Sequence, residues 1–191
     1  MAKIILAFTG QIASGKGTAV AYLKEKYDAS TYRFSSILSD ILNRLYLDNS
    51  RENFQSLSQI LRKNFSEDIL SKTLAEDVKK DKNKIIAIDG VRRPGDVKHL
   101  QALPGFVLIH IFADLKIRYI RITGRKEKTD DKEKTLAEFK ADHQREAELK
   151  IAEIASQASE TINNNGNLDE LYKQLDDLIH RFTNDADLQI H

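Results

Sequence analysis

The chain has 191 residues, of which 41% are hydrophobic and 31% are charged, and its formal net charge is +1. This composition predicts a globular protein with one sizeable core, and the nearly neutral charge argues against a protein that coats nucleic acid or membrane surfaces. The sequence has no cysteine, which excludes disulfides, thiolate catalysis and cysteine-based zinc sites. No apolar run is long enough for a signal peptide or a membrane span, so we expect a cytoplasmic location.

The chain begins with a pattern of strand, glycine-rich loop and helix. Residues 3–9, KIILAFT, are almost continuously apolar and branched, which indicates a strand buried on both faces. This run ends at Gly10, and helical spacing of apolar residues follows from near Lys16 to Tyr27. Residues 30–34 predict a short second strand.

The middle of the chain predicts a helical insertion followed by two more buried strands. Residues 35–80 contain three apolar stripes at helical spacing and neither Gly nor Pro, which favours helices inserted between two strands. The run KIIAI at 84–88 predicts a buried strand that ends before Asp89 and Gly90, and FVLIHIF at 106–112 predicts another. A helix is expected to start at 115–123.

The last third of the chain begins with a charge-dense stretch, 124–134, that contains no apolar side chain. Helical spacing returns over 136–158, a short strand is predicted at 161–162, and an amphipathic helix is predicted over 168–182, with the last nine residues frayed. Because apolar strands alternate with helices, the chain predicts a three-layer α/β/α fold with a parallel sheet. Such folds bind ligands at the carboxyl ends of the strands.

The loop GQIASGKGT at 10–18 carries the pattern Gly-x-x-x-x-Gly-Lys. Its glycines allow several backbone N–H groups to converge on one anion, and the helix start and the Lys16 ammonium add attraction for phosphate. The pattern predicts a P-loop NTPase fold that binds a nucleoside triphosphate, with an ordinary glycine turn as the alternative. A hydroxyl of Thr18 or Ser14 can help to bind phosphate or Mg²⁺. The predicted nucleotide contacts in this loop are Gly10, Ala13, Ser14, Gly15, Lys16, Gly17 and Thr18.

A second polar cluster, DGVRRPGD, follows the strand at 84–88. A carboxylate at Asp89 can hold Mg²⁺ directly or through water, and Arg92 and Arg93 can bind phosphoryl oxygens. A solvated turn with a capping aspartate is the alternative. We therefore predict Thr18 and Asp89 as the metal-binding residues.

Two features of these clusters resemble the nucleoside monophosphate kinase-like group of P-loop kinases. Gly17 stands where the strict motif has Ser or Thr, and the resulting GKGT is typical of kinases such as adenylate kinase. The DG followed by arginine is similar to the adenylate kinase DG-x-P-R segment, with Arg93 at the matching arginine. An archaeal family of uncharacterised kinase-like proteins has this arginine one place earlier, at Arg92. The resemblance extends over nearly the whole chain and includes deoxynucleotide and dephospho-CoA kinases.

This resemblance implies ATP and Mg²⁺ as cofactors and one P-loop kinase domain over 1–191. Its core would comprise about 1–34, 84–121 and 148–182, with a helical acceptor-binding insertion at about 35–83 and a lid at about 122–147. In the insertion, the resemblance places Ser35 where adenylate kinases begin their monophosphate site. Arg51, Gln55 and Arg62 lie roughly on one helical face, where Arg62 would suit a phosphate and Gln55 a base edge; a solvated face is the alternative.

The lid implied by the resemblance is rich in arginine. Arg118, Arg121 and Arg125 recur every three or four residues, so a helix would present them together, and Arg145 returns from beyond the charged stretch. A charged exposed helix is the alternative. The NNNG segment, with Asn164, resembles the segment of dephospho-CoA kinases that lies near the adenine of the donor, although a plain turn explains it as well.

Together these features predict a kinase that transfers the γ-phosphoryl group of ATP to a nucleoside or deoxynucleoside monophosphate. The first alternative is phosphorylation of a hydroxyl, as in dephospho-CoA kinase, with Asp89 or Asp40 as the base. The second is a P-loop switch or regulatory protein, although the Asn-Lys-x-Asp and Asp-x-x-Gly motifs of GTPases are absent from the sequence. We expect a monomer or homodimer that binds neither nucleic acid nor membranes. The predicted catalytic residues are Lys16, Asp89, Arg92, Arg93, Arg121 and Arg125. Outside the loop, Arg121 and Asn164 are further predicted nucleotide contacts. The predicted acceptor contacts are Ser35, Arg51, Gln55, Arg62, Arg92, Arg93 and Arg145.

Overall fold

The computed structural model of the chain describes residues 3–124, 135–142 and 146–188. Their strands all lie in one sheet of order β2-β3-β1-β4-β5, and every neighbouring pair is parallel. The predicted α/β class with a parallel sheet is confirmed. In chain order the elements are β1 (Ile4–Thr9), α1 (Lys16–Tyr27), β2 (Ser30–Arg33), α2 (Phe34–Arg44), α3 (Arg51–Asn64), α4 (Ile69–Lys80), β3 (Ile85–Val91), α5 (Pro94–Val97), β4 (Phe106–Phe112), α6 (Leu115–Gly124), α7 (Leu136–Asp142), α8 (Glu146–Ala155), β5 (Glu160–Asn163) and α9 (Leu168–Leu188).

Alternate side chains of the central strand β1 pack against opposite layers of helices. Leu6 and Phe8 join a core with α1 and α9, whereas Ile5 and Ala7 join a second core with α2, α4, α5 and α8. All six residues of β1 are buried, which explains why its sequence shows no alternation of polar and apolar residues. The sheet is therefore the middle layer of three, as predicted.

Strand β3 is longer than the sequence predicted. It continues past Ile88 through Asp89 and Gly90 to Val91. Its register with β1 shifts, so that Phe8 pairs with Asp89 while Thr9 pairs with Val91. Gly90 is the extra residue of this bulge and has φ +86°, which favours glycine. Because of this bulge, β3 stays paired with β1 beyond Gly90, although a glycine at this position predicted the end of the strand.

The carboxyl-terminal helix also exceeds its predicted length. Helix α9 continues to Leu188, so the expectation that the last nine residues are frayed is wrong for 183–188. Thr183 Oγ1 donates a hydrogen bond to the carbonyl of Ile179 at 2.8 Å, within the continuing helix. Because neither Gly nor Pro interrupts 183–188, the helix does not stop where the apolar stripe ends. Within the described ranges, no helix combines the length and hydropathy needed to cross a membrane.

Asp176 on α9 joins this last helix to α1. Its Oδ1 accepts hydrogen bonds from the hydroxyls of Tyr22 at 2.7 Å and Tyr27 at 2.6 Å, and its Oδ2 accepts one from Lys26 Nζ at 2.8 Å. Burial raises the pKa of Asp176, but the hydrogen bonds from Lys26, Tyr27 and Tyr22 outweigh it and hold that pKa below its usual value. Burial is the largest cause that raises the pKa of Tyr27, and the hydrogen bond to Asp176 is the next; together they bring it to about 12.

We predict that Asp176→Asn lowers the free energy of unfolding by about 1–2 kcal/mol at pH 7, because hydrogen bonds to a charged group are lost. The folded pKa of Asp176 lies below the unfolded value of 3.8, so its contribution is present above that value and is lost as the pH falls. The difference between the two proteins should therefore shrink below about pH 4. Urea denaturation at pH 7 and pH 3 measures both effects. Asp177→Asn, at an exposed neighbouring position, is the control; equal losses in both variants would contradict the prediction.

Candidate active site

The loop after β1 and the first turn of α1 line one cavity. Ala13 and Gly15 both have positive φ, +60° and +107°, and Gly15 is the N-cap of α1. The helical hydrogen bonds begin with Ala19 N to Gly15 O at 3.0 Å. The amides of residues 16–18 precede that ladder and mark the positive end of the helix dipole. This geometry is that of an anion-binding loop.

Lys16 extends across the mouth of this loop. Its Nζ donates hydrogen bonds to the carbonyls of Gly10 at 2.6 Å and Gln11 at 2.9 Å, and the side chain lines the same cavity as Gly17 and Thr18. Burial first, and then the positive charge of Lys16, lower the pKa of His110 on β4. The ammonium group of Lys16 is therefore held against the carbonyls of the loop, at the edge of the cavity.

The hydroxyl of Ser14 lies inside the loop. It is buried and, among the described residues, has no hydrogen-bond partner. Buried hydroxyls normally have a partner, because an unsatisfied one costs free energy. Ser14 is not among the residues that line the loop cavity, so its role in binding the nucleotide stays a prediction.

Asn164 supports the loop from behind. It is 4% exposed, and its Nδ2 donates to the carbonyl of Ser14 at 2.8 Å. Its Oδ1 accepts a hydrogen bond from Arg121 Nη2 at 3.3 Å, and its backbone N donates to the carbonyl of Phe112 at 2.8 Å. A Cβ on Gly15 would overlap Asn164 Nδ2. Asn164 thus holds the loop in place. The sequence had suggested only a position near the adenine for this residue.

Two cavities open at the carboxyl edge of the sheet and share three residues. The first, which we call the loop cavity, has a volume of about 570 Å³ and is lined by Ala13, Gly15, Lys16, Gly17 and Thr18. The second, the insertion cavity, has a volume of about 540 Å³ and is lined by parts of α2, α3, β3 and α5. Both are also lined by Arg33, Asp89 and Arg92.

Arg33 and Asp89 form an ion pair at this junction. Arg33 Nε lies 3.2 Å from Asp89 Oδ2, and the two residues are directly paired across β2 and β3. The side chain of Asp89 is 17% exposed and that of Arg33 is 58% exposed. Arg33 was not among the predicted site residues. Its position at the end of a predicted strand, in RFSS at 33–36, was the only sequence signal of a place in the site. The sequence does not reveal which strand lies beside it.

The two adjacent arginines after β3 occupy different positions. Arg92 lines both cavities, whereas Arg93 lines only the insertion cavity. Arg93 Nη1 also donates to Glu67 Oε1 at 3.4 Å. The structure therefore places Arg92, which matches the archaeal kinase-like pattern, at the junction.

The predicted acceptor contacts in the insertion are only partly brought together. Ser35 and Gln55 line the insertion cavity, joined by Phe54, Ser58 and Gln59, which the sequence analysis missed. Arg51, at the start of α3, is exposed and lies outside the linings of both cavities. Asp40, the alternative base, is exposed on α2 and also lies outside them.

Arg62 requires a correction. It lines the insertion cavity, but it is 8% exposed and its guanidinium is directed at Asp96 Oδ1, with Nη2 at 2.8 Å. The predicted phosphate contact would need these donors, which instead bind within the fold. Arg62 does lie on the helical face that was predicted to meet the acceptor, but its guanidinium binds Asp96 in a distant segment of the chain.

Arg118 and Arg121, the two predicted lid arginines within the described residues, have different surroundings. Arg118 is 3% exposed, and its Nε donates to the carbonyl of Ala113 at 2.9 Å, which directs it into the protein. Arg121 lines a smaller cavity that includes Thr18 and Asn164. Arg125 and Arg145 lie outside the described residues.

The predicted Mg²⁺ ligands Thr18 and Asp89 both line the loop cavity, from α1 and β3, and offer a hydroxyl and a carboxylate oxygen. Mg²⁺ prefers oxygen ligands and is commonly held by one or two carboxylates together with substrate phosphates. Within residues 3–124, 135–142 and 146–188, no group of three or more His, Cys, Asp or Glu is arranged to hold a metal. The nucleotide would therefore supply further ligands.

Comparison with known proteins identifies the family. A family model described as an AAA domain matches residues 9–140, from the end of β1 into α7. The chain belongs to this AAA-domain family. The matched region includes the P-loop, the insertion and the segment with Asp89 and Arg92, so the P-loop kinase-like resemblance is confirmed.

Relatives of this AAA-domain chain include archaeal UPF0200 proteins. The protein of Methanothermobacter thermautotrophicus is 22% identical over 183 residues, which cover 95% of this chain and 92% of the relative. The protein of Methanoregula boonei is 26% identical over 177 residues, which cover 92% and 96% of the two chains. Both comparisons span the whole fold rather than the P-loop alone.

Solved structures share the fold. TT1252 from Thermus thermophilus has a TM-score of 0.62 and 18% identity, covering 95% of this chain and 98% of that chain. Shikimate kinase from Bacteroides thetaiotaomicron has a TM-score of 0.62 and 13% identity, covering 94% of this chain and 98% of that chain. At these identities the likeness shows a P-loop kinase-like fold.

We predict that Gly15→Ala destabilises the protein by about 1–3 kcal/mol, because it forces a positive φ on alanine and drives a methyl group against Asn164. Gly17→Ala is the matched control, since a Cβ there meets nothing within 4 Å and it should change stability by less than about 1 kcal/mol. Thermal unfolding of both variants measures the difference. Equal melting temperatures would show that Asn164 does not confine the loop.

Proposed function

We propose that the chain is an ATP-dependent small-molecule kinase that transfers the γ-phosphoryl group of ATP to a nucleoside or deoxynucleoside monophosphate. The observation that carries this proposal is the meeting of the loop cavity and the insertion cavity at Arg33, Asp89 and Arg92. A donor held by the P-loop would direct its terminal phosphate toward that junction. The proposed enzyme acts in the cytoplasm and binds neither nucleic acid nor membranes.

The charges of the insertion cavity favour an anionic acceptor. Its lining includes Arg33, Arg92 and Arg93. It also includes two carboxylates, Asp89 and Asp96, but Asp96 is already bound by an arginine side chain and two backbone amides. Three arginines against the one remaining carboxylate, Asp89, favour a phosphate dianion over a neutral group.

The rest of the insertion cavity suits a flat ring with polar edges. Phe34, Leu38 and Phe54 supply apolar surface, and Gln55 and Gln59 supply side-chain amides that can both donate and accept hydrogen bonds. Apolar walls with a few placed polar groups are typical of small-molecule sites. This combination supports a nucleobase as the other end of the acceptor.

In the proposed reaction an acceptor phosphate oxygen forms a bond to the γ-phosphorus, and the bond between that phosphorus and the β–γ bridging oxygen breaks, releasing ADP. Lys16 and the loop amides bind the donor phosphates, and Arg92 stabilises the charge of the moving group. Mg²⁺, bound by Thr18 and Asp89, would neutralise charge on the β- and γ-phosphates. Because the acceptor oxygen is already anionic, no general base is needed.

Phosphorylation of a hydroxyl is the second candidate, as in a dephospho-CoA kinase-like enzyme. The observation that favours it is the position of Asp89 at the junction, where a carboxylate can accept the proton of a hydroxyl acceptor. A fold neighbour, the shikimate kinase from Acinetobacter baumannii, was solved in complex with shikimate.

We predict that an ADP-release assay with ATP, Mg²⁺ and the common nucleoside and deoxynucleoside monophosphates shows turnover with at least one of them. Lys16→Ala should abolish this turnover while the variant remains folded, because the charge on the donor phosphates is lost. Dephospho-CoA belongs in the same panel. Turnover with dephospho-CoA alone would favour the hydroxyl acceptor, and turnover with none of the compounds would refute the kinase.

We predict that Arg92→Ala lowers kcat by about 10²–10³-fold, because the variant loses a positive charge that stabilises the transition state. Arg93→Ala is the matched control one residue away; it should mainly raise the KM for the acceptor. Steady-state kinetics with ATP and the best acceptor measures both. Equal effects of the two substitutions on kcat would contradict the separate positions of these arginines.

A further inference from the structure

A buried carboxylate holds the backbone that carries Arg92. Asp96 is 3% exposed, and its Oδ2 accepts hydrogen bonds from the amides of Arg92 and Arg93, each at 3.0 Å. Its Oδ1 accepts the hydrogen bond from Arg62 Nη2 at 2.8 Å. One carboxylate thus fixes the segment that lies at the junction of the two cavities and ties it to a residue of α3.

Arg62 carries this connection into the wall of the insertion cavity. Its Nε lies 3.4 Å from Ser58 Oγ, one turn earlier on α3, and its Nη1 donates to the carbonyl of Glu67 in the connection to α4. Ser58 itself lines the insertion cavity. A displacement of α3 would therefore move the guanidinium relative to Asp96.

Stability alone is a weak explanation for two charges at this place. A buried ion pair must overcome the desolvation of both groups, and well-packed apolar side chains of similar volume are often at least as stabilising. An ion pair does fix geometry, because each partner is costly to leave alone. The geometry fixed here is that of α3 relative to the segment with Arg92.

We propose that the Arg62–Asp96 pair is a positioning device that couples the wall of the insertion cavity to Arg92. An acceptor bound against α3 would thereby hold Arg92 at the point of phosphoryl transfer. The inference rests on the proposed function, because the task of Arg92 is defined there. Arg62 and Asp96 are positioning residues that act through Arg92.

The test uses the full chain with Arg62→Gln, Asp96→Asn and both substitutions together. Each single change leaves a buried charge opposite an amide. In the double variant, the Asn amide oxygen can accept the two backbone N–H groups while its Nδ2 donates to the Gln oxygen, which restores an uncharged link. Lys98→Gln is the control, because it removes an exposed ammonium group that pairs with Asp68 at 2.7 Å and lines neither cavity.

With the best monophosphate acceptor, the single variants should lose about 30–100-fold in kcat, because a displacement of about 1 Å in a catalytic group has effects of that order. The KM for ATP should change by less than about threefold, and the double variant should recover most of the loss. Lys98→Gln should match the wild type. Folded single variants with unchanged kcat would overturn the proposal, as would a double variant that melts like the wild type without recovering kcat.

Hydrogen exchange at the amides of Arg92 and Arg93 gives a readout that needs no acceptor. Exchange there should accelerate about tenfold or more in Arg62→Gln, while the amides of Ile86 and Ile88 stay protected and the double variant recovers. Unchanged exchange at Arg92 and Arg93, or faster exchange across the whole sheet, would overturn the positioning role. A wild type with no turnover would refute the proposed function, and the exchange result would still decide whether the pair holds this segment.

Discussion

The parallel pairing of β1 with β3 is the constraint on which the candidate site depends. Parallel strands end at the same edge, so the loop after Thr9 and the segment after Asp89 emerge side by side. The bulge at Gly90 carries the pairing on to Val91, where the Thr9 hydroxyl donates to the Val91 carbonyl at 3.0 Å. This strand pair brings the lysine of the phosphate loop and the first arginine after β3 to neighbouring cavities, although the chain separates them by the whole insertion.

Local patterns were sufficient to predict the sheet and its layers. Branched apolar runs identified the long strands because parallel strands are buried on both faces, and helical stripes identified α2, α3 and α4. Local patterns failed where a long-range contact decides the outcome. The bulge at Gly90 extends a strand past a residue that normally ends one, and the buried Arg118 turns inward because the carbonyl of Ala113 accepts its hydrogen bond.

The same division applies to the site. The P-loop could be predicted from one segment, because its chemistry depends on glycines, a lysine and a helix start that adjoin in sequence. Arg33 could not, because its importance comes from pairing with Asp89 across two strands. Arg62 was placed on the right helical face, but its partner Asp96 lies 34 positions away in the chain. A residue's type and spacing therefore indicated charge, whereas only the fold revealed whether that charge faces a ligand or the protein.

The proposed function requires that the loop cavity and the insertion cavity form one site for two phosphorylated ligands. The binding of bisubstrate compounds, in which adenosine is joined through five phosphates to each of the common nucleosides, measures whether they do. We expect at least one compound to bind about tenfold or more tightly than ATP, because joined ligands bind the second site intramolecularly. We also expect this gain to disappear in Arg92→Ala. An affinity no higher than that of ATP for every compound would show that the two cavities do not act as one site.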